Sequence, residues 1–325
     1  MDVGALVADA RRGRPRAVAR LITLVENATA VPGGDDPLRE VMAAFATETG
    51  PGAGRGPYGA RVIGLTGSPG VGKSTSTGML IQAFRKRGHR VGVLAVDPSS
   101  PFTGGALLGD RVRMQEHATD PEVFIRSMAS RGHLGGLAWA TPQALRVLDA
   151  AGCDVILIET VGVGQAEVDV ARLADTTIVL LAPGMGDGIQ AAKAGILEVA
   201  DVFVVNKADR DGAQAVVREL RNMVGLIHAP WKPPIVSTVA SRGEGADELL
   251  AALDKHAAYL DESGELRRRR LARARDEIES IALAQLRARF ALAGRERQLD
   301  LLAERLLAAE TDPYTAADDL LAAIG

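Results

Sequence analysis

The stretch Arg61-Val-Ile-Gly-Leu-Thr-Gly67-Ser-Pro-Gly-Val-Gly-Lys73-Ser-Thr75 decides the fold of this chain. Residues 62–66 are apolar or small, which predicts a short buried strand. Residues 67–74 match the pattern G-x-x-x-x-G-K-[ST] without a mismatch. Residues 75–86 then carry an apolar stripe at helical spacing (Met79, Leu80, Ala83 and Phe84). A strand, a glycine turn and a helix N-terminus in this order predict a phosphate-binding loop rather than an ordinary glycine turn.

The residue types in this loop suit a polyphosphate. Glycines allow successive backbone N–H groups to curl around phosphate oxygens, and the dipole of the following helix adds positive potential. We expect Lys73 to reach the β- and γ-phosphates and the Ser74 hydroxyl to ligate Mg²⁺. The residues expected to bind the nucleotide here are Gly67, Ser68, Pro69, Gly70, Val71, Gly72, Lys73, Ser74 and Thr75.

Composition narrows the class of protein. The chain of 325 residues suits a central domain of about 200 residues with helical additions. Its net charge of −3 gives no general attraction to nucleic acid or to an anionic membrane. The single cysteine, Cys153, predicts a reducing, cytoplasmic setting. We expect no membrane span and no signal peptide, because no apolar run reaches about 18 residues and the first residues lack the basic-then-apolar order.

The pattern of strands and helices predicts an α/β protein with a mostly parallel central sheet. Apolar runs at residues 90–96, 123–128, 154–159, 177–182, 202–206 and 235–239 follow the first strand and are separated mostly by helical patterns or loops. Such unbroken apolar strands are typical of a parallel sheet that is covered on both faces. We predict a helical N-terminal extension at 1–56, the α/β domain at 57–260 and a helical arm at 261–325. The glycine- and proline-rich residues 50–57 form the first linker.

Three polar residues are expected at the carboxyl ends of strands, where ligands bind in such sheets. Asp97 can cap a turn, but its place beside the phosphate loop favours a carboxylate near Mg²⁺ or near the attacking water. Glu159 follows four apolar residues, so its buried carboxylate needs a partner such as a metal ion. Glu159 and Gly162 stand where GTPases usually carry D-x-x-G, and the Gly162 N–H is suited to sensing a γ-phosphate. Asn206 follows a later strand, and the shared location predicts one site.

The sequence Asn206-Lys207-Ala208-Asp209 matches N-K-x-D, a motif that reads guanine. A carboxylate at Asp209 can accept hydrogen bonds from guanine N1–H and the 2-amino group, which adenine lacks. Sites of this kind discriminate by roughly 10⁴ or more. We therefore expect GTP and GDP, not ATP. A backbone N–H of Thr238, Val239 or Ala240, at the end of the next strand, is expected to meet guanine O6.

A second glycine-rich loop at residues 183–190 precedes Lys193. Spacing alone fits a solvated helix lysine and a functional one equally well. The five histidines do not cluster in the sequence, and with one cysteine no zinc or nickel ligand set is evident.

Together these motifs resemble the G-protein metallochaperones of methylmalonyl-CoA mutase, which are SIMIBI-class P-loop GTPases of the bacterial MeaB type and were earlier labelled arginine/ornithine transport ATPases. The matching segments are residues 67–74, 96–100, 108–111, 159–165 and 206–209. The resemblance implies that Asp110 joins Ser74, Asp97 and Glu159 around Mg²⁺ and that Lys193 assists hydrolysis. It also implies a homodimer through the C-terminal arm. Gly188 and Val239 depart from the family pattern, which commonly has an acidic residue and a serine there.

By the same resemblance, the partner is the adenosylcobalamin-dependent methylmalonyl-CoA mutase, and the GTPase gates cofactor loading and helps remove damaged cobalamin. A GTPase chaperone of another acyl-CoA mutase is an alternative. A nickel-inserting GTPase should carry a Cys or His metal motif, and a nucleotide-dependent kinase or transport ATPase should tolerate ATP, which Asp209 argues against.

Overall fold

The computed structural model describes residues 2–27, 37–47, 59–97, 117, 119–129, 140–160, 166–184, 198–292 and 296–322. Contacts between residues divide the chain into two compact units. The first comprises residues 1–27 and 37–273, and the second comprises residues 28–36 and 274–325. The division into 1–56, 57–260 and 261–325 stays a prediction.

The centre of the first unit is a seven-stranded sheet in the order β3-β2-β4-β1-β5-β6-β7, and every pair of neighbouring strands is parallel. This confirms the predicted α/β class. The helix that follows β1 leads to β2, which lies parallel to β1 with β4 between them. The strands are β1 (Arg61–Thr66), β2 (Val91–Asp97), β3 (Val123–Ala129), β4 (Val155–Thr160), β5 (Thr176–Leu181), β6 (Val202–Val205) and β7 (Ile235–Ser237).

Eleven described helices accompany the sheet or follow it in the chain. They are α1 (Val3–Arg11), α2 (Pro15–Asn27), α3 (Pro37–Thr47), α4 (Lys73–Lys86), α5 (Thr141–Ala150), α6 (Ala166–Leu173), α7 (Ala213–Gly225), α8 (Ala246–Glu262), α9 (Glu265–Leu292), α10 (Glu296–Leu307) and α11 (Pro313–Ala322). No described helix is both long enough and apolar enough to cross a membrane.

The unbroken apolar strands are explained by burial on both faces of the sheet. Alternate residues of a strand point to opposite faces. In β4, Ile156 and Ile158 pack into one core together with α1, α2, α5 and α6. Val155 and Leu157 pack into the other core with α4 and α8. Because both faces of β4 are covered, every position from 155 to 158 is apolar.

Buried charges join the start of α9 to the amino ends of β5 and β6. Asp175 precedes β5 and accepts hydrogen bonds from Arg270 and Arg273 at 2.9 and 2.7 Å. Asp201 precedes β6 and accepts two hydrogen bonds from Arg269 at 2.8 and 2.9 Å. Both carboxylates are buried. The first turns of α9 therefore belong to the first unit.

The described part of the second unit consists of the remainder of α9, α10 and α11. It carries many exposed large apolar side chains: Ile278, Leu283, Leu286, Leu299, Leu301, Leu306, Leu307, Tyr314 and Leu321. Leu302 is the buried apolar side chain of this part.

Candidate nucleotide-binding site

Two glycines of the loop between β1 and α4 lie so close to neighbouring groups that a side chain would not fit. Gly67 and Gly72 have φ of 142° and 95°, in a region that favours glycine. A Cβ at Gly67 would lie 2.3 Å from the carbonyl oxygen of Leu180, and one at Gly72 would lie 2.4 Å from Asn206 Nδ2. The glycines of the motif therefore bring this loop directly against β5 and against the residue after β6.

The first turn of α4 faces this loop. Helix α4 begins at Lys73 after Gly72, and no side chain caps its N-terminus. The first N–H groups of a helix have no partners within the helix, and they carry the positive end of the helix dipole. Lys73 is buried, and its Nζ donates hydrogen bonds to the carbonyl oxygens of Gly67 at 2.5 Å and Ser68 at 3.1 Å. The ammonium group thus lies across the loop that the sequence assigns to phosphates.

Ser74 and Glu159 meet at the carboxyl end of β4. The Ser74 hydroxyl donates to Glu159 Oε1 at 2.5 Å, and the Thr77 hydroxyl lies 2.8 Å from Glu159 Oε2. Glu159 is 1% exposed and Thr77 is 0% exposed. The structure therefore brings together two of the four predicted metal ligands and adds a neighbour, Thr77, that the sequence motifs do not contain.

This pair has the right chemistry for Mg²⁺. A hydroxyl and a carboxylate supply hard oxygen ligands, and Mg²⁺ sites of nucleotide-binding proteins usually combine one or two carboxylates with phosphate oxygens. Asp97 is the last residue of β2, the strand beside β4, where Val96 and Thr160 are partners. Asp110 lies outside the described residues. The assignment of Ser74, Asp97, Asp110 and Glu159 as metal ligands stays a prediction.

Asn206 connects the guanine motif to the phosphate loop. Its Nδ2 donates to the carbonyl oxygen of Val71 at 2.8 Å, and its Oδ1 accepts from the Ala240 N–H at 3.1 Å and from the Thr238 hydroxyl at 3.2 Å. Lys207 has a positive φ of 57°, and its Nζ donates to the carbonyl oxygen of Gly70 at 2.6 Å. The side chains of the first two residues of N-K-x-D therefore stabilise the phosphate loop through its carbonyl oxygens.

Asp209 is more accessible than these residues. Its side chain is 39% exposed, and one of its oxygens lies 3.7 Å from Arg242 Nη1. This carboxylate is accessible to the nucleobase of a bound nucleotide, as the guanine assignment requires. Its role as a guanine reader stays a prediction.

The three residues expected to present an N–H to guanine O6 all use that group within the protein. The N–H groups of Thr238, Val239 and Ala240 donate to Val205 O, Glu244 O and Asn206 Oδ1, at 2.9, 3.1 and 3.1 Å. For one of these N–H groups to donate to guanine O6, its hydrogen bond within the protein must therefore break. The expectation itself stays a prediction.

Two further predicted site residues, Gly162 and Lys193, lie outside the described residues. Thr77 is the residue that motif matching missed. It stands four positions after Lys73, so both occupy one face of α4. Its contact with Glu159 joins residues 82 positions apart, and only the packing of α4 against the sheet reveals it.

Comparisons with known proteins identify the family of the chain. The family described as "Methylmalonyl Co-A mutase-associated GTPase MeaB" matches residues 18–295. A protein of Pyrococcus abyssi that carries a GTPase name is 46% identical over 321 residues, which cover 97% of this chain and 95% of that protein. The mitochondrial methylmalonic aciduria type A homolog of Mus musculus is 36% identical over 268 residues, which cover 80% of this chain and 65% of that protein.

The fold is also that of a solved structure. The crystal structure of a LAO/AO transport system kinase matches with a TM-score of 0.69 and 25% identity, covering 99% of this chain and 97% of that one. The parallel sheet, the phosphate loop and the family match over most of the chain lead to one conclusion. The chain belongs to the methylmalonyl-CoA mutase-associated GTPases of the MeaB family and is a P-loop enzyme that hydrolyses GTP.

Proposed function

We propose that this protein is a Mg²⁺-dependent cytoplasmic GTPase that acts as a chaperone of the adenosylcobalamin-dependent methylmalonyl-CoA mutase. In this proposal it gates the loading of adenosylcobalamin and protects the mutase from damaged cofactor. The family match supports the choice of partner. The observation that carries the GTP assignment is the 2.8 Å hydrogen bond from Asn206 to Val71, which joins a guanine motif to a phosphate loop.

The residues of the chain have separable roles in the reaction, an in-line attack of water on the γ-phosphate. The Lys73 ammonium group, which donates to two carbonyl oxygens in this structure, would donate to phosphate oxygens, because charged acceptors form stronger hydrogen bonds. The N–H groups at the start of α4 would stabilise the charge that develops on the phosphate. When it is bound through Ser74, Asp97, Asp110 and Glu159, Mg²⁺ supplies positive charge at the phosphate oxygens. The family resemblance implies that Lys193 assists hydrolysis.

Nucleotide controls the partner only if the two nucleotide states bind the mutase with different affinities. Gly162 lies between residues 160 and 166, and Lys193 lies between residues 184 and 198. We propose that these two residues respond to the γ-phosphate and convey its presence to the partner. We further propose that two copies assemble through the C-terminal arm.

The test is the rate of GTP hydrolysis with and without purified mutase at a saturating concentration. We expect the mutase to raise the rate, and to change the affinity for GTP by about 5- to 150-fold. Lys73→Ala and Glu159→Gln should each abolish the stimulated rate, and Lys73→Ala should uncouple GTP from delivery of adenosylcobalamin. If the mutase changes neither rate nor affinity, the chaperone proposal is wrong for this partner, and another acyl-CoA mutase is the next to test.

A further inference from the structure

The Thr77 hydroxyl has two acceptors within reach and one hydrogen to donate. It lies 2.8 Å from Glu159 Oε2 and 3.1 Å from the carbonyl oxygen of Lys73. In an α-helix the carbonyl of Lys73 already accepts the N–H of Thr77. The Glu159 oxygen is nearer, and a metal ligand of this kind is ionised. Hydrogen bonds to charged acceptors are roughly twice as strong as neutral ones. The hydrogen of Thr77 therefore goes to Glu159.

This bond distinguishes the two oxygens of the Glu159 carboxylate. Oε2 is held by Thr77, and Oε1 receives the Ser74 hydroxyl at 2.5 Å. The last torsion of a glutamate is otherwise broad and roughly two-fold, so an unrestrained carboxylate can rotate. Holding one oxygen fixes the plane of the group and keeps the other oxygen directed at Ser74.

We propose that Thr77 is a positioning residue for the reaction and that it acts through Glu159. Its hydroxyl orients the carboxylate so that Oε1 and the Ser74 hydroxyl present two oxygen ligands side by side to Mg²⁺. This inference rests on the proposed function, because it assumes that Ser74 and Glu159 serve the metal. Groups that orient metal ligands in this way typically change metal affinity or activity by about 10- to 100-fold when they are removed.

The neighbouring Ser76 provides a matched control. It lies on the same helix and is 1% exposed, and its hydroxyl has no hydrogen-bond partner among the residues that the structure describes. Ser76→Ala therefore removes a buried hydroxyl from α4 and leaves Glu159 untouched. Thr77→Val removes the hydroxyl and keeps the side-chain volume, whereas Thr77→Ala removes both. Thr77→Ser keeps the hydroxyl and removes only the methyl group.

The experiment measures two quantities for the full-length protein and for each variant. One is the Mg²⁺ concentration that gives half-maximal GTP hydrolysis. The other, which requires no turnover, is the increase in affinity for a non-hydrolysable GTP analogue on addition of Mg²⁺, measured by calorimetry. GDP affinity without Mg²⁺ reports whether the phosphate loop is intact.

We expect Thr77→Val and Thr77→Ala to raise the half-maximal Mg²⁺ concentration about tenfold or more and to weaken the Mg²⁺ effect on analogue binding. Thr77→Ser and Ser76→Ala should resemble the wild type, and Mg²⁺-free GDP affinity should stay unchanged in all four. In a Glu159→Ala background, Thr77→Val should have no further effect on analogue binding, since residues that act as a unit are not additive.

If GTP hydrolysis by the wild type depends on Mg²⁺, three results would overturn this inference and leave the proposed function standing. They are an unchanged Mg²⁺ dependence in Thr77→Val and Thr77→Ala, a loss in Thr77→Ser as large as that in Thr77→Val, or an additive effect in the Glu159→Ala background. A wild-type protein that hydrolyses GTP without Mg²⁺ would overturn the proposed function as well.

Discussion

Asn206 Nδ2 and the carbonyl oxygen of Val71 are joined by a 2.8 Å hydrogen bond across 135 positions of the chain. Both groups are buried, and the Asn206 side chain fills the space that a Cβ at Gly72 would occupy. The segment assigned to the base therefore supports the segment assigned to the phosphates. A substitution that disturbs one of these segments should therefore also impair binding by the other.

Asn206→Ala should weaken GTP and GDP equally, because it removes a support of the phosphate loop and not a contact to the γ-phosphate. Leaving the buried Val71 carbonyl without its donor costs about 1–3 kcal/mol, and we expect affinity to fall by about tenfold or more. Calorimetric titration with both nucleotides measures this. Thr238→Val is the control, since it removes one bond to Asn206 Oδ1 and keeps the bond to Val71. A loss confined to GTP, or a larger loss in the control, would contradict the account.

Asp209→Asn should change the base that the protein prefers. The carboxylate suits the two donors of guanine, whereas an amide can donate to the 2-oxo group of xanthine. We expect the variant to bind xanthosine triphosphate more tightly than GTP and the wild type to favour GTP over ATP by roughly 10⁴. Competition of the three nucleotides in a calorimetric titration measures both preferences. Equal affinity of the wild type for ATP and GTP would remove the basis of the guanine assignment.

Asp175→Asn should destabilise the first unit strongly. It leaves the charges of Arg270 and Arg273 without their buried carboxylate, and breaking one side of a buried pair costs about 3–5 kcal/mol. The control is Asp254→Asn, which breaks more exposed pairs with Arg61 and Arg87 and should cost about 0–1 kcal/mol. Urea denaturation at pH 7 gives both free energies of unfolding. Equal losses in the two variants would show that burial of this cluster has no energetic weight.

The same cluster predicts acid sensitivity. Burial alone would raise the pKa of Asp175, but the hydrogen bond from Arg270 and the charge of Arg273 outweigh it and hold that pKa below its usual value. A lowered pKa in the folded state means that the stabilisation is present above the unfolded pKa of about 3.9 and is lost as the pH falls through the folded value. The free energy of unfolding of the wild type should therefore decline below about pH 4, and Asp175→Asn should show a weaker decline. The opposite order of slopes would contradict the ion-pair account.

The exposed apolar side chains of the second unit should mediate dimerisation. Ile278 and Leu286 on α9 are 68% and 45% exposed. A stable dimer generally buries about 1,200–2,000 Å² of surface, so a charge placed within such an area is costly. We expect Ile278→Glu with Leu286→Glu to be monomeric in multi-angle light scattering at micromolar concentration. Leu226→Glu, at a leucine of the first unit that is 76% exposed and so more accessible than either, should stay dimeric. A monomeric wild type, or a dimeric double variant, would be incompatible with the arm as the interface.

The sequence predicts the sheet well because local patterns determine it. Four consecutive apolar residues before Glu159 indicate a strand covered on both faces, and β4 is such a strand. The glycine pattern similarly locates the phosphate loop. What local patterns cannot supply is the partner of a polar residue that is distant in sequence. Nothing in the local sequence distinguishes Thr77 from other helix residues, and its contact with Glu159 forms only when α4 packs beside β4. In the same way, Arg273 differs from the neighbouring charged residues only through its contact with Asp175. These contacts depend on tertiary packing alone.

Reciprocal binding tests the central claim, that nucleotide and mutase act on one equilibrium of this protein, most directly. The affinity for a non-hydrolysable GTP analogue is measured with and without saturating methylmalonyl-CoA mutase, and the affinity for the mutase is measured with and without the analogue. Linkage requires both affinities to change by the same factor, which we expect to lie at about 5- to 150-fold. Two affinities that are both unchanged, with GTP binding intact, would contradict the account.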